Sequence, residues 1–139
     1  FVNVGLLRAA VIAAGDPLVQ DSVLAGPDRD DIGLLVFPRV DDARRRFGLP
    51  ADFTPAQVLG EAAVRGFFQA MLDRLHAQGT GSANRPARLL LLAEPPHIDL
   101  GEITDKGSIS QRAVLTHRAA LVERLYASPP DPDVLLPRR

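Results

Sequence analysis

The sequence predicts a small α+β domain, with a mixed or antiparallel sheet of about three to five strands, a β-hairpin and flanking helices. Three observations carry that expectation. The chain has 139 residues, 46% of them hydrophobic and none of them Cys, enough for one core that stands on apolar burial without disulfide staples. Runs of Val, Leu and Ile at strand length are interspersed with stretches whose apolar residues recur every three or four positions, in no regular β-α-β order. A polar cluster rich in Gly, Pro and Asp separates two of the apolar runs, as in a hairpin.

Val2-Asn3-Val4-Gly5 reads as the middle of a strand and turn, and a chain that enters it directly at Phe1 is expected to be a fragment of something longer. Leu7, Ala10, Val11 and Ala14 then fall at helical spacing, so Leu6 to Ala14 is a short amphipathic helix stopped by Gly15-Asp16-Pro17. Val19 to Gly26 and Ile32 to Pro38 are the two strands of the hairpin, with Gly26-Pro27-Asp28-Arg29-Asp30-Asp31 at its tip. Val40 to Phe47 is a short charged helix or turn closed by Gly48-Leu49-Pro50. Its Arg44-Arg45-Arg46, beside Asp41 and Asp42, reads as a solvated face rather than a phosphate grip.

Thr54-Pro55-Ala56-Gln57 has the layout of a capping box with Pro at the first helical position, so a helix begins near Pro55. Val64, Phe67, Phe68, Met71, Leu72 and Leu75 form one stripe between Glu61 and Ala77, the longest helix. Gly79 to Asn84 has the glycines of a phosphate loop, but neither a strand before it nor a Lys within it, and reads as a linker. Leu89-Leu90-Leu91-Leu92 is a buried strand within Ala87 to Ala93, and Gln111 to Tyr126 is a final amphipathic helix. Residues 1–127 form the domain, and residues 128–139, with four Pro, an extended tail.

A formal net charge of -1 offers no electrostatic surplus for nucleic acid or an anionic membrane. No apolar run approaches the ~20 residues of a membrane span, and no secretory leader is visible, so the cytoplasm is the expected compartment. The cations are lopsided: fifteen Arg stand against one Lys, Lys106. Where a cation merely solubilises the surface this chain uses Arg, which hints that position 106 wants a compact, rotatable ammonium.

Lys106 lies in Gly101-Glu102-Ile103-Thr104-Asp105-Lys106-Gly107-Ser108-Ile109-Ser110, beside a Gly that lets backbone approach a ligand, and just before the last helix. Ser108 or Ser110 caps that helix. Two readings follow from spacing alone. Lys106, Gly107 and Ser108 form an anion clamp for phosphate or carboxylate oxygens, or Lys106 merely balances Asp105 and Glu102 in a turn. His97, Asp99 and Glu102 are metal-capable, but their spacing matches no metal signature and they read as a solvated acidic loop. No Ser sits in a Gly-x-Ser-x-Gly elbow, and no metal ligand set is expected.

Three stretches together resemble one family. They are Val2 to Arg8, the hairpin with Pro17-Leu18-Val19-Gln20-Asp21 and Asp28-Arg29-Asp30-Asp31-Ile32-Gly33-Leu34-Leu35-Val36-Phe37-Pro38, and Leu89 through Glu102-Ile103-Thr104-Asp105-Lys106-Gly107 to Val114. They resemble the C-terminal domain of adenylate-forming acyl- and aryl-CoA synthetases, most closely the feruloyl-CoA synthases. The resemblance implies a small α+β cap on a larger N-terminal adenylation domain that binds ATP, Mg2+ and an aromatic carboxylic acid. It also implies a two-step reaction, in which carboxylate and ATP give acyl-adenylate and coenzyme A then displaces AMP. Lys106 matches the family's adenylation lysine, with Gly107 and Ser108 in the loop on the phosphate side. Val4 and Gly5 match the loop along the coenzyme A channel. The family usually places Gly immediately before this Lys, whereas here Asp105 precedes and Gly107 follows. The helical stretch 41–78 exceeds what such a domain needs and has no implied role. The rival expectation is a non-catalytic α+β module that docks a partner domain.

Overall fold

Ile32-Gly33-Leu34-Leu35-Val36-Phe37 offers water no polar side chain on either face, and it becomes the middle of a three-stranded sheet. The computed structural model describes residues 3–26, 29–79 and 85–138. In chain order these contain α1 (Val4–Ala14), β1 (Val19–Ala25), β2 (Ile32–Pro38), α2 (Val40–Arg46), α3 (Pro55–Gly60), α4 (Ala62–Gln78), β3 (Pro86–Leu91), α5 (Gln111–His117) and α6 (Ala119–Leu125). The expected linker lies largely outside the described residues, at 80–84, as does part of the hairpin tip, at Pro27 and Asp28.

β1 and β2 pair antiparallel, from Val19 opposite Pro38 to Ala25 opposite Gly33, and β3 runs parallel to β2. A parallel pair needs a crossover long enough to carry the chain back, and α2, α3 and α4 supply it. The stretch 41–78, unexplained by the sequence, therefore has a structural purpose. Thr54 and Gln57 make the expected capping box at the start of α3. The stripe of α4 buries Val64, Phe68, Met71, Leu72 and Leu75.

Alternation along the strands divides the core in two. Leu24, Leu34, Val36 and Leu89 pack with α1 and α4 on one face, while Val23, Leu35, Phe37 and Leu90 pack with α5 and α6 on the other. At the end of α1, Gly15 permits close approach, since a Cβ there would lie 2.2 Å from Val19 Cγ2 and 2.6 Å from Met71 Sδ. Arg8 ties α1 to β1 through a two-pronged bond to Asp21, at 2.6 and 2.8 Å.

The structure corrects two sequence expectations and adds to a third. Val4 and Gly5 are not strand and turn but the first turn of α1, because the Asn3 side chain accepts the Leu6 N–H at 3.0 Å and caps the helix. The last helix is two helices broken at Arg118, whose φ of -109° and ψ of 33° leave the α region as its side chain turns inward. The Pro-rich segment after α6 has no helix, but it is anchored: Leu135 exchanges both backbone hydrogen bonds with Leu89 on the outer edge of β3, and Val134 is buried. One edge of the sheet is thereby partly covered.

Candidate functional site

Ile103 and Ile109 form an isolated antiparallel bridge, so the segment carrying Lys106 is a small hairpin. Its loop is Asp105-Lys106-Gly107: the Gly107 N–H donates to the Thr104 carbonyl at 2.9 Å, and the Thr104 N–H donates to the Ser108 carbonyl at 2.8 Å. Gly107 has φ +80°, the left-handed position of a three-residue hairpin loop, where glycine costs least. That geometry accounts for a Gly following the Lys. The hydroxyls of Thr104 and Ser108 bond each other at 2.9 Å, and it is Ser110 that caps α5 by accepting from Ala113 N–H.

Lys106 stands exposed at the hairpin tip, and among the described residues no carboxylate forms an ion pair with it. Glu102 is no counter-charge for it and no part of a solvated loop. It is fully buried, 0% exposed, and takes two hydrogen bonds from the Arg118 guanidinium, both 3.0 Å. Arg118 also donates to the carbonyls of Glu94 at 2.9 Å and Pro95 at 2.8 Å, and lies over the Phe37 ring at 4.9 Å. The hydrogen bonds from Arg118 hold the Glu102 carboxyl below the usual carboxylate range against the opposing effect of burial, with help from the His97 backbone N–H. One ion pair thus fastens the 94–102 loop, the foot of the hairpin and the break between α5 and α6.

Arg118 carried no signal in the sequence. Its partner lies sixteen positions away, and the apolar period of the last helix runs through it without interruption.

Val4 and Gly5 are exposed at the start of α1, which covers the opposite face of the sheet from α5. The structure therefore groups Lys106, Gly107 and Ser108 in one hairpin and places Val4 and Gly5 on a different element. Among the described residues a Cβ on Gly5 would meet only Asn3 Oδ1, at 3.6 Å, so none of them demands glycine there. Among the described residues no three His, Cys, Asp or Glu converge as metal ligands, and no helix is long and apolar enough to cross a membrane.

No family model and no curated protein matches this chain. Solved structures do. The chain superposes on the A-PCP didomain of carboxylic acid reductase from Segniliparus rugosus, a complex with AMP, with a TM-score of 0.61, 24% identity and 92% of its residues covered. It is similarly placed on the adenylation domain of the Segniliparus rugosus enzyme in complex with AMP and a co-purified carboxylic acid (TM-score 0.61, 23% identity, 93% covered). The adenylation domain of the carboxylate reductase from Mycobacterium chelonae gives the same TM-score, 0.61, at 23% identity over 91% of this chain. The chain spans only 16–18% of the length of these proteins. At such identity the likeness is one of fold, and the α+β architecture described above is that of a part of the adenylation domains of carboxylic acid reductases.

Proposed function

We propose that this chain serves as the small mobile domain of an adenylate-forming enzyme, with Lys106 as the group that assists acyl-adenylate formation. The observation that carries this is the setting of the only Lys: the exposed tip of a tight hairpin whose base is locked by a buried ion pair, in a chain with the fold of adenylation-domain structures. A long ammonium side chain on a fixed base can reach into the active site of a neighbouring domain. There a carboxylate oxygen attacks the α-phosphorus of ATP, a carboxyl–phosphate bond forms, the bond to the bridging oxygen breaks and pyrophosphate leaves. Lys106 neutralises charge on the transferring group rather than moving a proton. On this reading Mg2+ and most of ATP are held by the N-terminal adenylation domain that the family resemblance implies.

The finer reading is an acid–thiol ligase of the aryl-CoA type, with an aromatic acid such as ferulate as substrate and coenzyme A as acceptor. Two observations support it. Gly5 lies in the first turn of α1, where no contact among the described residues requires a glycine. An approach from outside, such as a pantetheine arm, supplies a reason. In addition, Lys106 and Gly5 belong to elements on opposite faces of the sheet, as suits a domain that presents one face for adenylation and turns to present another for thiol transfer. The didomain among the structural neighbours favours a second reading for the acceptor, a thiol on a carrier protein.

The test is ATP–pyrophosphate exchange by the polypeptide that joins this chain to an adenylation domain. Lys106→Ala should slow exchange about 10²- to 10³-fold while leaving thioester formation from supplied acyl-adenylate intact. Exchange at near wild-type rate would overturn the assignment. If no adenylation domain accompanies residues 1–139, the docking module is the better account.

A further inference from the structure

We infer that Gln111 is a positioning residue for Lys106, clamping the second foot of the Lys106 hairpin to the free edge of β1. β1 is an edge strand, so the backbone groups of Ser22 and Leu24 on its outer side have no neighbouring strand to bond. Gln111 fills that gap. Its Oε1 accepts the Leu24 N–H at 2.9 Å and its Nε2 donates to the Ser22 carbonyl at 2.9 Å. A primary amide carries one acceptor and donors on a single carbon, and here it meets both outward groups as a peptide unit of an added strand would.

The consequence for Lys106 lies in the geometry of the hairpin base. Its two feet, Glu102 and Ser110, are joined by the Ser110 N–H donating to the Glu102 carbonyl at 2.8 Å. Arg118 fixes the first foot through the Glu102 carboxylate, and that bond alone leaves the hairpin free to tilt about its base. Gln111, adjacent to Ser110, supplies the second fixed point, on a different element of the sheet. Ile103 and Thr104 on one side, and Ser108 and Ile109 on the other, separate the feet from the loop that carries Lys106, three steps of about 3.3 Å, so a tilt of about 6° moves the loop by about 1 Å. A misplacement of that size at a reacting centre costs about a hundredfold in rate.

This inference rests on the adenylation role of Lys106, and the experiment separates the two. In the polypeptide joining this chain to an adenylation domain, ATP–pyrophosphate exchange is measured with whichever of benzoate, cinnamate and ferulate turns over fastest. Lys106→Ala, Gln111→Met and Gln111→Glu are compared with the unchanged protein. Met matches Gln in length and packing but makes neither bond, whereas Glu keeps the acceptor for Leu24 and loses the donor to Ser22.

The expected result for Gln111→Met is a ten- to hundredfold fall in exchange kcat. The KM for ATP should stay within about twofold, because the clamp orients Lys106 and does not hold nucleotide. Thioester formation from supplied acyl-adenylate and coenzyme A should be unchanged; a merely structural role would depress both half-reactions. In the 139-residue chain, exchange of the Thr104 and Gly107 amides should quicken about tenfold, with the Leu92 amide, which donates to the Val36 carbonyl just past the end of β3, unaffected. If Gln111→Met does not fold, Gln111→Glu is read by the same criteria. Loss of exchange in Lys106→Ala with full exchange in the Gln111 variants overturns the positioning role alone. Retained exchange in Lys106→Ala, or none with any of the three acids in the unchanged protein, overturns the adenylation reading and the positioning role with it.

Discussion

On the face covered by α1 and α4, seventeen buried apolar residues among those described form one cluster, from Val11 and Leu18 through Val64, Phe68 and Met71 to Leu135. On the face covered by α5 and α6 the corresponding cluster has nine, and polar groups are set around it: the buried Glu102–Arg118 pair and the half-buried Gln111 amide and Tyr126 hydroxyl. The first face also has polar ties, from Arg8 to Asp21 and from Arg74 to the Ala14 carbonyl among others, but none of these is an ion pair buried on both sides. The contrast separates two kinds of work. Apolar packing supplies most of the free energy and tolerates small shifts, because it is non-directional. Charge-assisted hydrogen bonds add less net stability but fix angles, and the most deeply buried ion pair among the described residues, Glu102–Arg118, stands at the foot of the Lys106 hairpin.

The largest expected effect strikes the apolar face. Phe68 is 0% exposed and packs edge-on against Phe67 at 5.1 Å, so Phe68→Ala should lower unfolding free energy by about 3–5 kcal/mol in a denaturant titration. Hairpin amides should then exchange faster only through unfolding of the whole chain. Uneven loss, with the hairpin loosening first, would dissolve the distinction between the faces.

Glu102→Gln tests the polar face and should cost less, about 2–4 kcal/mol, because Gln keeps some hydrogen bonds but leaves Arg118 buried without a counter-charge. Unlike Phe68→Ala, it should release the Thr104, Gly107 and Ser110 amides beyond the global change. The dependence on pH has a definite sign. The folded carboxyl is depressed below its unfolded value of 4.5, so its contribution is complete above that value and is lost as pH falls through the folded pKa. The stability gap between the unchanged protein and Glu102→Gln should therefore narrow as pH falls below about 5.

These two variants also mark what the sequence could disclose. Phe68 was legible because a helix facing an apolar sheet repeats its large residues every three or four positions, and the stripe through Val64, Met71, Leu72 and Leu75 does so. The turn chemistry around β1 and β2, the capping box at Thr54 and the loop holding Lys106 were legible for the same reason, since their causes are local. Glu102–Arg118 has no local cause. The two lie sixteen positions apart, and only the fold brings them together. Val134 and Leu135 were hidden similarly by the four Pro around them, which describe the backbone of that segment and not its docking on β3. Gln111 was visible only as the first residue of a helix, because its function depends on β1 being an edge.

The smallest effect comes from Tyr126, which shares the polar face but not the hairpin. Its hydroxyl lies 3.1 Å from the Ala25 carbonyl and 2.8 Å from that of Asp31, closing the mouth of the β1–β2 turn with one shared proton. Arg29 and Arg88 lie over the ring at 4.6 and 4.7 Å, and Phe would keep both contacts. Tyr126→Phe therefore removes the hydroxyl alone and should cost about 1 kcal/mol. Burial, assisted by the Asp31 charge, pushes the phenol up to about 12, so it remains a donor far into the alkaline range. A folded pKa above the unfolded value adds stability that is complete below about pH 10 and is lost as pH rises through about 12. The unchanged protein and Tyr126→Phe should accordingly converge in an alkaline unfolding series, while the Thr104 and Gly107 amides exchange alike in both at neutral pH. Accelerated exchange of those amides in Tyr126→Phe would mean that the polar face acts as one network, and that Arg118 and Gln111 are not sufficient to hold the hairpin.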